Sequence, residues 1–227
     1  VLSEPLLVVH VADGSSGPAA SHPRVLVSLG ENAQATVVEA YCGAGVAFVN
    51  PVTEIVLGPH AHLDHSTLQE ESPEAFHVGT AEAHLGPGAQ LFGHVLSVGG
   101  ALVRNEMTVR LHGDGAGATL DGLFLARGSQ QVDNHTLLDH ARPHGGSQQY
   151  YKGILDGEAR GAFDGRVIVR PSAAFTDAHQ KNRNLLLSDT ARVDAKPQLE
   201  IYNNDVKCTH GSATGRLDGD ALFYLRS

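Results

Sequence analysis

Cys208 and His210 stand two residues apart in the run KPQLEIYNNDVKCTHG, and this spacing is the strongest chemical signal in the chain. In an extended strand successive side chains point to opposite faces, so positions i and i+2 project a thiol and an imidazole from the same face. Thiolate and imidazole are ligands for iron, zinc or copper, and the pair can also serve nucleophilic chemistry. Two ligands do not fill a coordination sphere. A metal held on this strand therefore needs a partner surface, or the pair is structural.

Histidine is abundant, with 14 residues in 227. The densest group is GPHAHLDHSTLQEE, which holds His60, His62, His65, Glu70 and Glu71, with His77 and His84 close behind. If His60 and His62 lay on one strand they would share a face, and with Glu70 they would suggest a mononuclear metal site. A metal-dependent or carbohydrate-active β-fold enzyme built on His60, His62 and Glu70 is thus the alternative reading. Asp133, His135, Asp139, His140 and His144 form a second group. Alternation places Asp133 and His135 on one face and Asp139 with Ala141 on one face, so no single strand gathers them all. Asp and Gly in ILDGEARG and AFDGRV read as turn chemistry instead. No nucleotide-binding loop, nucleophile elbow or H-E-x-x-H motif occurs, so the sequence predicts no NTP site of its own.

The elements that must position these residues read as short strands. VLVSL, ATVVEAY, VAFVN and VIV are apolar or alternating runs bounded by Gly, Asn, Asp and Pro. L-G-x-x-A recurs at Leu29 to Ala33, Leu57 to Ala61 and Leu85 to Ala89, each copy starting 28 residues after the last. Looser echoes occur at Gly113 to Ala118, Pro171 to Ala173 and Asp189 to Ala191. A turn motif at such a period is the signature of stacked units that bury their inner faces on one another. An all-β solenoid, a β-helix, is expected over residues 1–216. Residues 217–227 read differently, with Asp218 placed to cap a short helix carrying Ala221, Leu222 and Leu225.

Acidic residues outnumber basic ones, 25 to 16, for a net charge of −9, and no basic cluster suggests a nucleic-acid partner. Two cysteines so far apart, Cys42 and Cys208, fit a reducing, cytoplasmic setting better than a disulfide. No apolar window reaches membrane-spanning length, and the first residues lack the basic and apolar regions of a signal peptide. The missing initiator methionine and abrupt ends suggest a piece of a longer chain.

YKGILDGEARGAFDGRVIV, AHQKNRNLLLSDTARVDAKPQLEIYNNDVKCTHG and LFYLRS closely resemble the SufB/SufD family of the SUF iron–sulfur cluster assembly system. The likeness is strong over Asp133 to Ser227 and weaker but collinear upstream, where SHPRVLVSLGENAQATVVEAY resembles early coils of the family. The resemblance implies a right-handed parallel β-helix flanked by helical segments, the last starting at 217–227. It implies a non-catalytic scaffold subunit that pairs with the paralogue SufB through the β-helix and with the ATPase SufC through its C-terminal helical segment. The cluster would be transient and shared with SufB, with none tightly bound to this chain alone. His210 of the C-x-H-G motif would lie at the SufB interface and hold the nascent cluster, and Cys208 matches the motif with a less defined role. SufB-type chains carry E-H-E where this chain has Thr209-His210-Gly211, and a functional cysteine where it has Asn182. These departures place it on the SufD side of the family. Self-association through the same β-helix end is expected to remain open to the isolated chain.

Overall fold

The computed structural model describes residues 2–216 and 219–227. The chain winds as a parallel β-helix whose successive coils each contribute two strands, one to each of two opposed faces. The opening coils use β1 (Leu6–Ser21), β2 (Arg24–Leu29), β3 (Gln34–Val49) and β4 (Val52–Leu57). One face continues through β5 (His62–Glu70), β7 (Gln90–Ser97), β9 (Gly117–Ala126), β11 (Gly146–Leu155), β13 (Thr176–Leu186) and β15 (Val206–Arg216). The other runs through β6 (Phe76–Leu85), β8 (Leu102–Leu111), β10 (Gln131–His140), β12 (Arg160–Val169) and β14 (Arg192–Ile201). A short helix, α1 (Gly219–Arg226), follows, and the expected cap at Asp218 lies outside the described residues. Among the described residues no helix is long and apolar enough to cross a membrane.

The L-G-x-x-A period is one coil. Gln34 stands opposite His62 and His62 opposite Gln90, so each residue has its neighbour 28 positions away. In each copy the alanine N–H closes a turn on the glycine carbonyl, as in Ala61 to Gly58 at 3.2 Å and Ala89 to Gly86 at 3.1 Å. The residue before the alanine adopts a left-handed conformation, with φ of 57° at Asn32, 56° at His60 and 65° at Gly88. Its N–H then donates to the next coil, Asn32 to the Pro59 carbonyl at 2.9 Å and His60 to that of Pro87 at 2.8 Å. Later turns repeat the device with Gly115, His144 and Phe175. Ala61, Ala89 and Ala116 fill the inner corner without any exposure. The echo at Ala173 belongs to this corner, whereas Ala191 lies at the opposite one.

Inside, alternation sends Leu57, Leu63, Leu85, Leu91, Leu111 and Leu138 into one continuous core. ATVVEAY and VAFVN, read from sequence as separate strands, form the single strand β3. The glycines between them serve close packing instead of a turn between strands. A Cβ at Gly43 would fall 1.9 Å from the Ala12 carbonyl oxygen of β1.

A glycine at position 60 escapes the left-handed penalty that a β-branched residue would suffer in full. His60→Gly is therefore expected to leave stability unchanged or raise it by up to ~1 kcal/mol, and His60→Val to lower it, measured by urea unfolding of the folded parent protein.

Candidate functional site

β15 is the last strand of its face and, among the described residues, pairs with β13 alone. Cys208 lies opposite Ala178 and His210 opposite Gln180, both inward-facing positions of β13. The thiol and imidazole thus share the face that alternation assigned them. Their surroundings differ. Cys208 is half-buried and packs on the main core, while His210 is exposed where the solenoid is open. Burial pushes the Cys208 thiol upward, partly offset by a backbone hydrogen bond at Ala178, which disfavours the thiolate needed for metal binding or sulfur attack.

A bed of amides lies beneath this end. On β13, Gln180, Asn182 and Asn184 point inward and are buried. Asn182 accepts from Asn184 Nδ2 at 2.6 Å and from Ser212 Oγ at 3.2 Å, and donates to the Tyr151 carbonyl at 3.3 Å. Asn184 Nδ2 also reaches Thr214 Oγ1 at 3.4 Å. Gln180 Nε2 donates to Gln149 Oε1 one coil down at 2.6 Å. This ladder escaped the sequence reading because it depends on which residues stack at separations of 30 or 31.

The upstream histidines divide into roles that sequence could not assign. His60 is a left-handed turn residue, not a strand residue, so it does not share a strand face with His62. His62 and Glu70 face outward at opposite ends of β5, about 26 Å apart by strand rise. Among the described residues no group of three or more His, Cys, Asp or Glu is arranged to hold a metal ion. The alternative metal site at His60, His62 and Glu70 is not assembled.

His65 instead turns inward. Its Nε2 lies 2.7 Å from Oε1 of buried Glu39, which also accepts from Tyr41 Oη at 2.7 Å and Thr53 Oγ1 at 3.0 Å. Burial alone would raise the Glu39 pKa, but hydrogen bonds from His65 and Tyr41, the His65 charge and Thr53 together hold it below the ordinary carboxylate value. Burial and the adjacent Glu39 charge push the Tyr41 hydroxyl far above its usual range. Glu71, bonded to Gln69 at 2.7 Å and His77 at 3.1 Å, repeats the arrangement nearby. A cavity of about 60 Å³ lies among Tyr41, Thr53, His65, His77, Asn105 and Tyr151.

The second sequence cluster is likewise dispersed. Arg170 grips Asp139 through two bonds of 2.9 and 3.0 Å, holding its carboxyl below the ordinary range despite burial. His144 takes a left-handed turn and stacks on Phe175. Asp133 and His135 lie half-buried on the outer face of β10. His140 is wholly buried, its Nε2 2.9 Å from Ser147 Oγ. Cys42 and Cys208 are both free, and the six strand spacings between β3 and β15 alone separate them by at least about 29 Å.

Burial pushes the His140 pKa down from 6.5 to about 4, Asp139 offsetting this only in part. A histidine depressed on folding contributes stability fully above its unfolded pKa and loses it as pH falls through the folded value. Stability should therefore drop between pH 6.5 and about 4, by on the order of 3 kcal/mol from this group. His140→Leu should flatten that part of the profile, read from urea midpoints across the window.

The comparisons with known proteins fit the stacked-coil geometry. Residues 10–227 match the family model described as SUF system FeS cluster assembly, SufBD core domain. The chain is 35% identical over 229 residues to the iron–sulfur cluster assembly protein SufD of Escherichia coli K12, covering 99% of this chain and 54% of that protein. It is 34% identical to the SufBD family protein slr0076 of Synechocystis, over 98% of this chain and 51% of that protein. With the SufD of Bacillus subtilis it shares 26% identity over 98% of its length and 52% of that protein. The chain spans about half the length of these relatives. With almost all of its described coils inside the matched region, the chain belongs to the SufBD family of the SUF iron–sulfur cluster assembly system.

Proposed function

We propose that this chain is the β-helix core of a SufD-type, non-catalytic scaffold subunit, working in the cytoplasm, that pairs with SufB and with the ATPase SufC. On this reading His210 contributes a ligand to a nascent iron–sulfur cluster shared with SufB. The observation that carries it is the exposed imidazole of His210 on a strand whose outer edge has no neighbour among the described residues. Such an edge offers backbone donors and acceptors to a second chain, and pairing there would bring the partner's groups to within reach of His210. The segment at 217–227 is the start of the helical part that docks SufC.

The chemistry fits a transient site. Clusters are usually held by thiolates, and an imidazole in place of one reduces negative charge and changes the potential and lability. Half-buried Cys208, held toward the neutral thiol, is the poorer ligand of the pair. Asn182 stands where SufB-type chains carry a functional cysteine, so the partner supplies the sulfur-bearing thiolate. ATP-driven movement in SufC would rearrange the interface to admit iron and sulfide.

The test is iron and acid-labile sulfide content of the full-length parent protein co-purified with SufB and SufC. His210→Ala is expected to lower cluster content several-fold while the three subunits still co-elute, and Cys208→Ala to lower it by less than twofold. A full cluster load in the His210→Ala complex would refute the ligand role. Loss of co-elution in that variant would also count against it, by making His210 a residue needed to hold the subunits together and not one that binds the cluster.

A further inference from the structure

Gln180 is inferred here to be the positioning residue for His210, a proposal that we draw from the amide ladder and that rests on the reading of His210 as a cluster ligand. Inward-facing residues of β13 meet their neighbours on β15 in a regular way. Asn182 is tied to Ser212 and Asn184 to Thr214, each by a side-chain hydrogen bond between opposed residues. Gln180 lies opposite His210 in the same register. Its Oε1 is buried and has no hydrogen-bond partner, although the residue is only 1% exposed. Leaving a buried acceptor unpaired forfeits the hydrogen bonds it would make to water. The orphaned atom is therefore the one that a neighbouring donor gains most by reaching.

The other half of the amide is fixed. Gln180 Nε2 is held by Gln149 Oε1. Gly165 leaves the space the amide needs, since a Cβ there would lie 2.3 Å from Gln180 Nε2. With its nitrogen anchored toward β11, the amide carries its oxygen away from Gln149. The strand on that side is β15, where the register sets His210 opposite Gln180.

An acceptor in this position takes the N–H of one ring nitrogen and so fixes the tautomer, leaving the other nitrogen unprotonated and free to bind iron. Metal-binding histidines are commonly oriented by such an acceptor, whose loss costs about 10–100-fold in metal affinity. The acceptor is neutral. It orients the ring without adding the negative charge that a carboxylate would bring to the site.

The experiment is ¹⁵N NMR of the ring nitrogens in histidine-labelled full-length parent protein, with His210 assigned by its loss in His210→Ala. The wild type should show one dominant His210 tautomer. Gln180→Met keeps the shape and removes the acceptor, and should give a mixture of tautomers. Gln180→Glu restores an acceptor, and should recover the single tautomer. Should Gln180→Met not fold, Gln149→Met, which frees the anchored nitrogen one coil away, should likewise loosen the tautomer preference. A single His210 tautomer, unchanged from wild type, in whichever methionine variant folds would overturn the proposal. This readout needs no cluster, so it fails independently of the ligand role, which stands or falls on the cluster load of the His210→Ala complex.

Discussion

Everything in this molecule depends on bringing the chain back, after one coil, to within a strand spacing of where it was before. A parallel ladder tolerates no drift, because one residue of slip would turn every inward side chain outward. The turn that resets the register is built from a left-handed residue and an inter-coil hydrogen bond from its N–H, and in three coils it is followed by a fully buried alanine, Ala61, Ala89 or Ala116. Asn32, His60, Gly88, Gly115, His144 and Phe175 occupy the left-handed position in successive coils. The side chain there varies freely because it points to solvent or to the next turn, while the residue after it stays small and faces inward, as Ala33, Ala61, Ala89, Ala116, Gly145 and Thr176. One consequence is that a residue's chemistry is set less by its sequence neighbours than by what lies one coil away.

The inward row Val37, His65, Gly93, Leu120, Gln149, Gln180 and His210 shows that rule at work. Both histidines face the interior, yet their fates are opposite. His65 is buried in the early coils against a carboxylate that also binds a tyrosine and a threonine, so its ring is already committed. His210 comes where the row meets the open end, above an amide that is neutral and incompletely bonded. The same side chain on the same row is structural in one place and available in the other. What separates them is burial and the charge of the group beside each.

Much of the architecture was legible because it repeats. The 28-residue period, the L-G-x-x-A turn and the alternating runs all report a coil directly, and the shared face of Cys208 and His210 follows from strand geometry alone. Gly43 and Gly45 misled, because close packing against β1 uses the same residue type as a turn. The histidine-rich segment misled for a related reason. His60 and His62 look alike in sequence, but one is a turn residue and the other an outward strand residue. The ladder from Gln149 to Gln180 was illegible because later coils lengthen to 29, 31 and 30 residues, shown by the pairs Gly117 with Gly146, Gly146 with Asp177, and Thr176 with Val206. Without those increments the stacking partner of His210 could not be named.

Asn182 gives the clearest view of how the fold limits chemistry at this end. It is buried, its carbonyl oxygen receives Asn184 and Ser212, and its amide nitrogen reaches the Tyr151 backbone, so it ties together three successive strands of one face. A thiol could replace none of those bonds well, being a weak donor and a weak acceptor. The interior that would have to shelter a reactive thiolate is instead a set of amides bonded to each other. Reactivity is then left to the edge, where Cys208 is drawn toward the core and its proton is retained. His210 is the side chain of the motif that combines an inward row position with exposure. The division between a hydrogen-bonded interior and one accessible imidazole follows from the stacking, and it is the arrangement a subunit needs if it lends a ligand without performing the sulfur chemistry itself.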